Sequence, residues 1–193
     1  MYFKLERVKK IVEELKTNVY SDRITIPVYQ VKKGNYHSRE EASAALGAWE
    51  EFHAGELWGG RNLHYWFRTK VNVPVRFEGK TIALNFSTWE EGWDATNPQF
   101  LLYVDGELIQ GLDLNHREVI IAERAKGGQE YQLDLHAYSG MLDRKSFLTG
   151  ELVTIDLDTR RLYFNLQVPL WVLERLSEHD KKRIDMLTIL NET

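Results

Sequence analysis

"GELWGGRNLHYWFRTKVNVPV" (residues 55–75) decides the fold. Leu63, Tyr65, Phe67, Val71 and Val73 alternate with His64, Trp66, Arg68 and Lys70. A period of two sustained this long predicts a strand with one face buried and the other polar. Before it, Gly55, Gly59 and Gly60 are expected to end a helix and turn the chain. That helix is expected in "HSREEASAALGAWEEF" (37–52). Ser38 and Glu41 form a capping-box pair there, and Ala42, Ala45, Leu46, Trp49 and Phe52 share one helical face.

The same period recurs downstream. Ile82, Leu84 and Phe86 alternate after the turn "FEGK" (77–80). "QFLLYVDGELIQG" (99–111) reads as two strands joined at Asp105-Gly106, a strong hairpin signal. "REVIIAE" (117–123), "EYQLDLHAY" (130–138) and "ELVTIDL" (151–157) are further strands, and Lys126-Gly127-Gly128 turns between the first two. Strands without intervening helices pair antiparallel, and one-sided burial requires a second layer. The expected fold is mainly β with flanking helices: an antiparallel β-sandwich, jelly-roll or galactose-binding-like, with helices at both ends of the chain. The expected domains are a helical and extended arm at 1–56, the sandwich at 57–157 and a helical linker at 158–193.

Outside the sandwich, Leu5, Val8, Val12 and Leu15 recur at helical spacing, as in a helix docked on a partner surface. "ITIPVYQ" (24–30) reads as extended, with Pro27 at an edge. In "DTRRLYFNLQVPLWVLERL" (158–176), Leu162, Leu166, Leu170 and Leu173 favour a helix bent near Pro169. Leu162, Phe164 and Leu166 also suit a strand. Ser177 and Asp180 are expected to cap a last helix bearing Ile184, Leu187 and Leu190. That helix lacks a C-terminal stop signal, which raises the expectation of a longer parent chain.

Composition narrows the function. The chain of 193 residues is 43% hydrophobic and 12% aromatic, enough for a core. Its net charge of −4 offers no basic face to nucleic acid. No apolar run reaches the ~20 residues that span a bilayer. With no cysteine there is neither a disulfide nor a thiolate metal site, which fits a cytoplasmic protein. The six histidines form no HExxH spacing, and no nucleophile elbow, Walker loop or dinucleotide fingerprint is present.

Two loops carry candidate chemistry. "STWEEGWDATNPQ" (87–99) offers Trp89, Trp93, Asp94 and Asn97 as a carbohydrate site: indole faces for a sugar ring, acid and amide for its hydroxyls. One tryptophan plugging the sandwich end is the alternative, and Glu90 with Asp94 is a conceivable glycosidase pair. "QGLDLNHREV" (110–119) gathers Asp113, Asn115, His116 and Arg117. They read as a catalytic Asp–His pair, as a network tying down a loop, or as a loop meeting another domain.

Several motifs in order carry a resemblance. "AWEEFHAGELWGGRNLHYWFRTKVNVP" (48–74) contains Trp58, Gly59, Gly60, Trp66, Phe67 and Arg68. "LLYVDGELIQGLDLNHREVII" (101–121) contains Val104, Gly106, Gln110, Gly111, Asp113, Asn115 and His116. "LDLHAYSG" (133–140) contains Tyr138 and Gly140. Together they resemble the N-terminal β-sandwich domain of zinc-dependent α-mannosidases of glycoside hydrolase family 38, the cytosolic and bacterial type. The resemblance implies a non-catalytic domain that packs on a catalytic one and rims its cleft through 87–99 or 110–118. Zinc and the nucleophile would belong to that absent catalytic domain, so no cofactor and no catalytic residue are assigned here. Implied partners are the catalytic domain, an α-mannoside glycan and a second copy of the chain. An independent module binding mannose-containing glycans is the alternative. Trp58, Gly59, Gly60 and Trp66 are expected to frame the join between helix and sandwich, and Arg68 to seek a carboxylate or carbonyl.

Overall fold

In the computed structural model, residues 2–88 and 97–192 are described. Two compact units emerge, Asp22–Thr154 and a second unit formed by Met1–Ser21 with Ile155–Thr193.

The elements of the chain run in order as α1 (Tyr2–Asn18), β1 (Tyr20–Ile26), β2 (Val28–Lys33), α2 (Arg39–Ala44), β3 (Glu50–His53), β4 (Trp58–Gly59) and β5 (His64–Asn72). After a 3-10 turn at Val75–Phe77 come β6 (Thr81–Ser87), β7 (Gln99–Val104), β8 (Glu107–Leu112), β9 (Glu118–Ala122), β10 (Glu130–Tyr138), β11 (Lys145–Ser146) and β12 (Thr149–Ile155). α3 (Leu157–Arg175) and α4 (Lys181–Glu192) close the chain. A four-stranded sheet is ordered β1-β12-β6-β9, and a six-stranded sheet β3-β2-β5-β10-β7-β8. β4 and β11 form a short ribbon. In the larger sheet every neighbouring pair is antiparallel.

One core lies between the sheets. Ile26, Ile82, Leu84, Phe86, Val119 and Leu152 from the smaller sheet meet Tyr29, Phe52, Phe67, Phe100, Leu102, Leu133 and Leu135 from the larger. Tyr29, Phe52, Trp58 and Phe67 contact one another edge-on, the favoured arrangement of aromatic quadrupoles. The period-two reading of β5 and β10 therefore describes real inward faces. The Asp105-Gly106 hairpin forms as well: both residues have positive φ (51° and 89°), as a primed turn requires.

Three expectations are corrected. First, the strands begin at Tyr20, so the segment read as an arm at 1–56 contributes β1, β2 and β3 to the sheets. Pro27 separates β1 from β2 where the chain passes from one sheet to the other. Second, the helix expected over 37–52 stops at Ala44. Ser38 does cap it, accepting from Glu41 N–H at 3.1 Å. However, Ala45 is extended, Gly47 sits at φ 99°, and Leu46 is 98% exposed. Strand pairing of 50–53 with β2 prevails, because it buries Phe52 between Tyr29 and Phe67. Third, Gly59 and Gly60 do not end a helix. At φ 109° and 123° they run alongside β11, and a Cβ on Gly59 would lie 3.0 Å from the Arg144 carbonyl oxygen.

The other unit contains α1, α3 and α4. Val12 is buried with Leu170 and Leu173, and Leu5, Val8, Tyr163, Leu166, Met186, Leu187 and Leu190 pack against them. The tail is thus helical across Pro169. Asp156 caps α3 by accepting from Thr159 N–H at 2.8 Å. Among the described residues, no helix is long and apolar enough to cross a membrane.

Candidate functional site

The outer face of the six-stranded sheet gathers the polar phase of β5, β10 and β7. Register sets the rows: Arg68 lies opposite Asp134, Trp66 opposite His136, and His64 opposite Tyr138. On the other side of β10, Tyr103 faces Asp134, Leu101 faces His136, and Gln99 faces Tyr138.

At one end the face is closed. Asp134 is fully buried and receives Arg68 Nε at 2.7 Å, with Arg39 Nη1 at 3.7 Å. The Arg68 guanidinium lies 4.3 Å from the centre of the Trp49 ring, and its other arm donates to Ser43 Oγ at 2.8 Å. Lys32, also buried, donates to the carbonyls of Ala42 and Ala45 at the C-terminal end of α2. A cation there satisfies carbonyls that have no intrahelical partner. Segment 36–49 is thereby strapped over this part of the sheet. Trp66 is buried beneath it and donates to the Tyr36 carbonyl at 3.2 Å. Trp66 therefore lies on the outer face, whereas Trp58 is in the core between the sheets.

At the other end the face is open. The Trp66 and His136 rings stack, 4.8 Å apart and nearly parallel. His136 is followed by His64 at 5.4 Å, and His64 by Tyr138 at 4.9 Å. The His136, His64 and Tyr138 rings, with Gln99, Leu101, Gly111 and Asp113, border a groove of about 520 Å³. Gly111 keeps it open: a Cβ there would meet only the Phe100 carbonyl oxygen, at 3.9 Å. Burial, and the positive charge that His64 and His37 can carry, push the His136 imidazole below its ordinary pKa. His64 Nδ1 and His136 Nε2 are buried without a hydrogen-bond partner among the described residues.

The loop at 112–118 forms the rim. Asp113 Oδ1 accepts from the N–H groups of Asn115 and His116, each at 2.7 Å, and lies 3.0 Å from His116 Nδ1. Burial alone would raise the Asp113 carboxyl, but the bonds from His116 and Asn115 outweigh it and hold the pKa below the usual value. Arg117 Nε donates to the Leu114 carbonyl. This is an Asx-type turn. Its carboxylate is occupied by its own loop, and its histidine is exposed.

Of the expected carbohydrate residues, Trp89, Trp93 and Asp94 lie outside the described residues. Asn97 packs against Gly140, where a Cβ would come within 2.7 Å of the Asn97 side chain. The groove itself escaped the sequence reading. Alternation placed His64 and His136 on polar faces, but only strand register makes them neighbours. Among the described residues no three His, Asp or Glu side chains are grouped to hold a metal ion. Among the described residues the His64–His136 pair lacks the third protein ligand that a zinc site needs.

Comparison with known proteins agrees with this architecture. Alpha-mannosidase G of Dictyostelium discoideum is 25% identical over 141 residues, covering 66% of this chain and 12% of the relative. The chain thus spans about an eighth of that protein. Among solved structures, a Ruminococcus gnavus beta-glucuronidase shares the fold with a TM-score of 0.51 at 14% identity, over 69% of this chain and 28% of that one. The same enzyme in complex with uronic deoxynojirimycin gives 0.52 at 13%, over 70% and 29%. At these identities the likeness concerns the fold alone. The profile of the Ams1-like first domain, described as "Alpha-mannosidase, jelly roll domain", matches residues 21–167. That span takes in both sheets, and the chain belongs to the alpha-mannosidase jelly-roll domain family.

Proposed function

We propose that this chain is the non-catalytic jelly-roll domain of a larger α-mannosidase, in which it packs against the catalytic domain and borders the substrate cleft through the 110–118 loop. The observation that carries the reading is the family match over 21–167 in a chain that spans 12% of an α-mannosidase relative. The Asp113–His116 pair supports it, since the carboxylate is spent on its own turn rather than poised for proton transfer. Zinc and the cleavage of mannosides would belong to the catalytic domain. A role in oligomer assembly and a cytoplasmic location, suggested by the absence of cysteine, complete the proposal. The test is turnover of p-nitrophenyl α-mannoside by the pure 193-residue chain. No hydrolysis above buffer is expected, and turnover at ordinary enzyme rates rejects the proposal.

A second reading, binding of mannose-containing glycans by the chain itself, draws on the open groove. The Tyr138 and His64 rings offer a stacking face, and Gln99 and Asp113 offer polar atoms at its edge. Calorimetry with mannose oligosaccharides discriminates. Heat that vanishes in Gly111→Leu, which fills the groove, favours this reading. No heat at millimolar sugar removes it.

A further inference from the structure

α3 is apolar on two opposite faces. One, formed by Tyr163, Leu166, Leu170 and Leu173, packs on Val12 and its neighbours. The other carries Leu157, Phe164, Val168, Trp171 and Val172, each 41 to 49% exposed. At 3.6 residues per turn these five fall on one side of the helix, roughly opposite Leu170. A helix that is hydrophobic all round is a buried helix, and a run of aromatic and aliphatic side chains rimmed by polar residues marks an interaction surface. Arg161, between Leu157 and Phe164, and Arg175, past Val172, lie on the same side, so a partner seated there must bring acidic groups to these two positions.

Resting on the reading above, we propose that this outward face of α3 is the seat of the catalytic domain in the parent α-mannosidase. Two observations choose that occupant. The family profile describes a first domain and ends at residue 167, inside α3, so Val168, Trp171 and Val172 lie just past the jelly roll. The match leaves seven-eighths of the α-mannosidase relative outside it, ample polypeptide to cover the face. The catalytic domain presents to this stripe an apolar patch with acidic groups opposite Arg161 and Arg175.

Hydroxyl-radical footprinting compares the 193-residue chain with the full encoded enzyme, using exposed Val75 in the other unit as reference. Phe164, Val168 and Trp171 are expected to label freely in the chain and several-fold less in the enzyme. A Val168→Asp, Trp171→Asp double variant is expected to keep the unfolding temperature of the chain and lower that of the enzyme. Equal labelling in both overturns the docking face while leaving the accessory role standing. Protection in the chain alone that grows with concentration, together with a doubled mass by light scattering, assigns the face to a second copy and also overturns it. An encoded polypeptide without a catalytic portion defeats the accessory role and the docking face together.

Discussion

Arg68 and Asp134 form an ion pair across β5 and β10, with Nε 2.7 Å from Oδ1 and the carboxylate wholly excluded from solvent. The pair fastens the 36–49 segment to the sheet, because the same guanidinium stacks on Trp49 and donates to Ser43. Removing one partner leaves a buried charge that the 3.7 Å contact to Arg39 compensates only in part. Arg68→Leu is therefore expected to cost about 3 kcal/mol in urea unfolding. Arg68→Leu with Asp134→Leu should cost less than Arg68→Leu alone, since no charge then stays buried. A double variant less stable than the single one contradicts this account.

The Tyr29 hydroxyl is buried without a partner among the described residues, and burial pushes its pKa well above the ordinary tyrosine value. It points at Gly150, where a Cβ would collide with it. Tyr29→Phe removes an unpaired polar atom and keeps the ring contacts with Phe52 and Phe67. A gain of about 1 kcal/mol is expected in denaturant titration. Gly150→Ala, by contrast, should lose about 1–3 kcal/mol through overpacking.

His136 makes the sheet sensitive to acid. Its folded pKa is below the ordinary 6.5, so the unfolded chain takes up the proton first as pH falls. Its contribution is intact above 6.5 and is lost as pH drops below that value. His136→Phe keeps a ring against Trp66 and removes the titration. The unfolding temperature of the variant should fall less than that of the wild type between neutral pH and pH ~5. Parallel pH profiles for the two proteins contradict the assignment.

In the helical unit, Leu173 is fully buried against Val12 and Leu170. Leu173→Ala should lower the stability of that unit by about 3 kcal/mol, read as faster amide exchange in α1 and α3. Trp171→Ala on the opposite face should leave exchange in the chain unchanged, because that ring is half exposed.

The inward faces were legible because a strand presents alternate residues to alternate sides. Phe67 and Leu133 announce burial through nothing more than their phase. The Asp105-Gly106 turn was equally plain, since few residues accept two successive positive φ angles. The stretch 45–52 misled because its apolar spacing suits a helix as well as the Trp49 lid and the Phe52 core contact. Only the presence of β2 as a pairing partner decides between them. Trp66 stands on the outward phase of β5, was expected to frame the join of helix and sandwich, and is fully buried, because an outer face can also be covered.

Local chemistry, carried by each residue's neighbours in the chain, determined the strands, the primed hairpin, the capped helix start and the mainly antiparallel β class. Tertiary structure alone decided which side chains meet: Arg68 with Asp134, His64 with His136, and the exposed turn of Asp113 with the rim of the groove. Those encounters depend on register between segments some 70 residues apart, and register is set by the packing of the whole sandwich rather than by any one stretch.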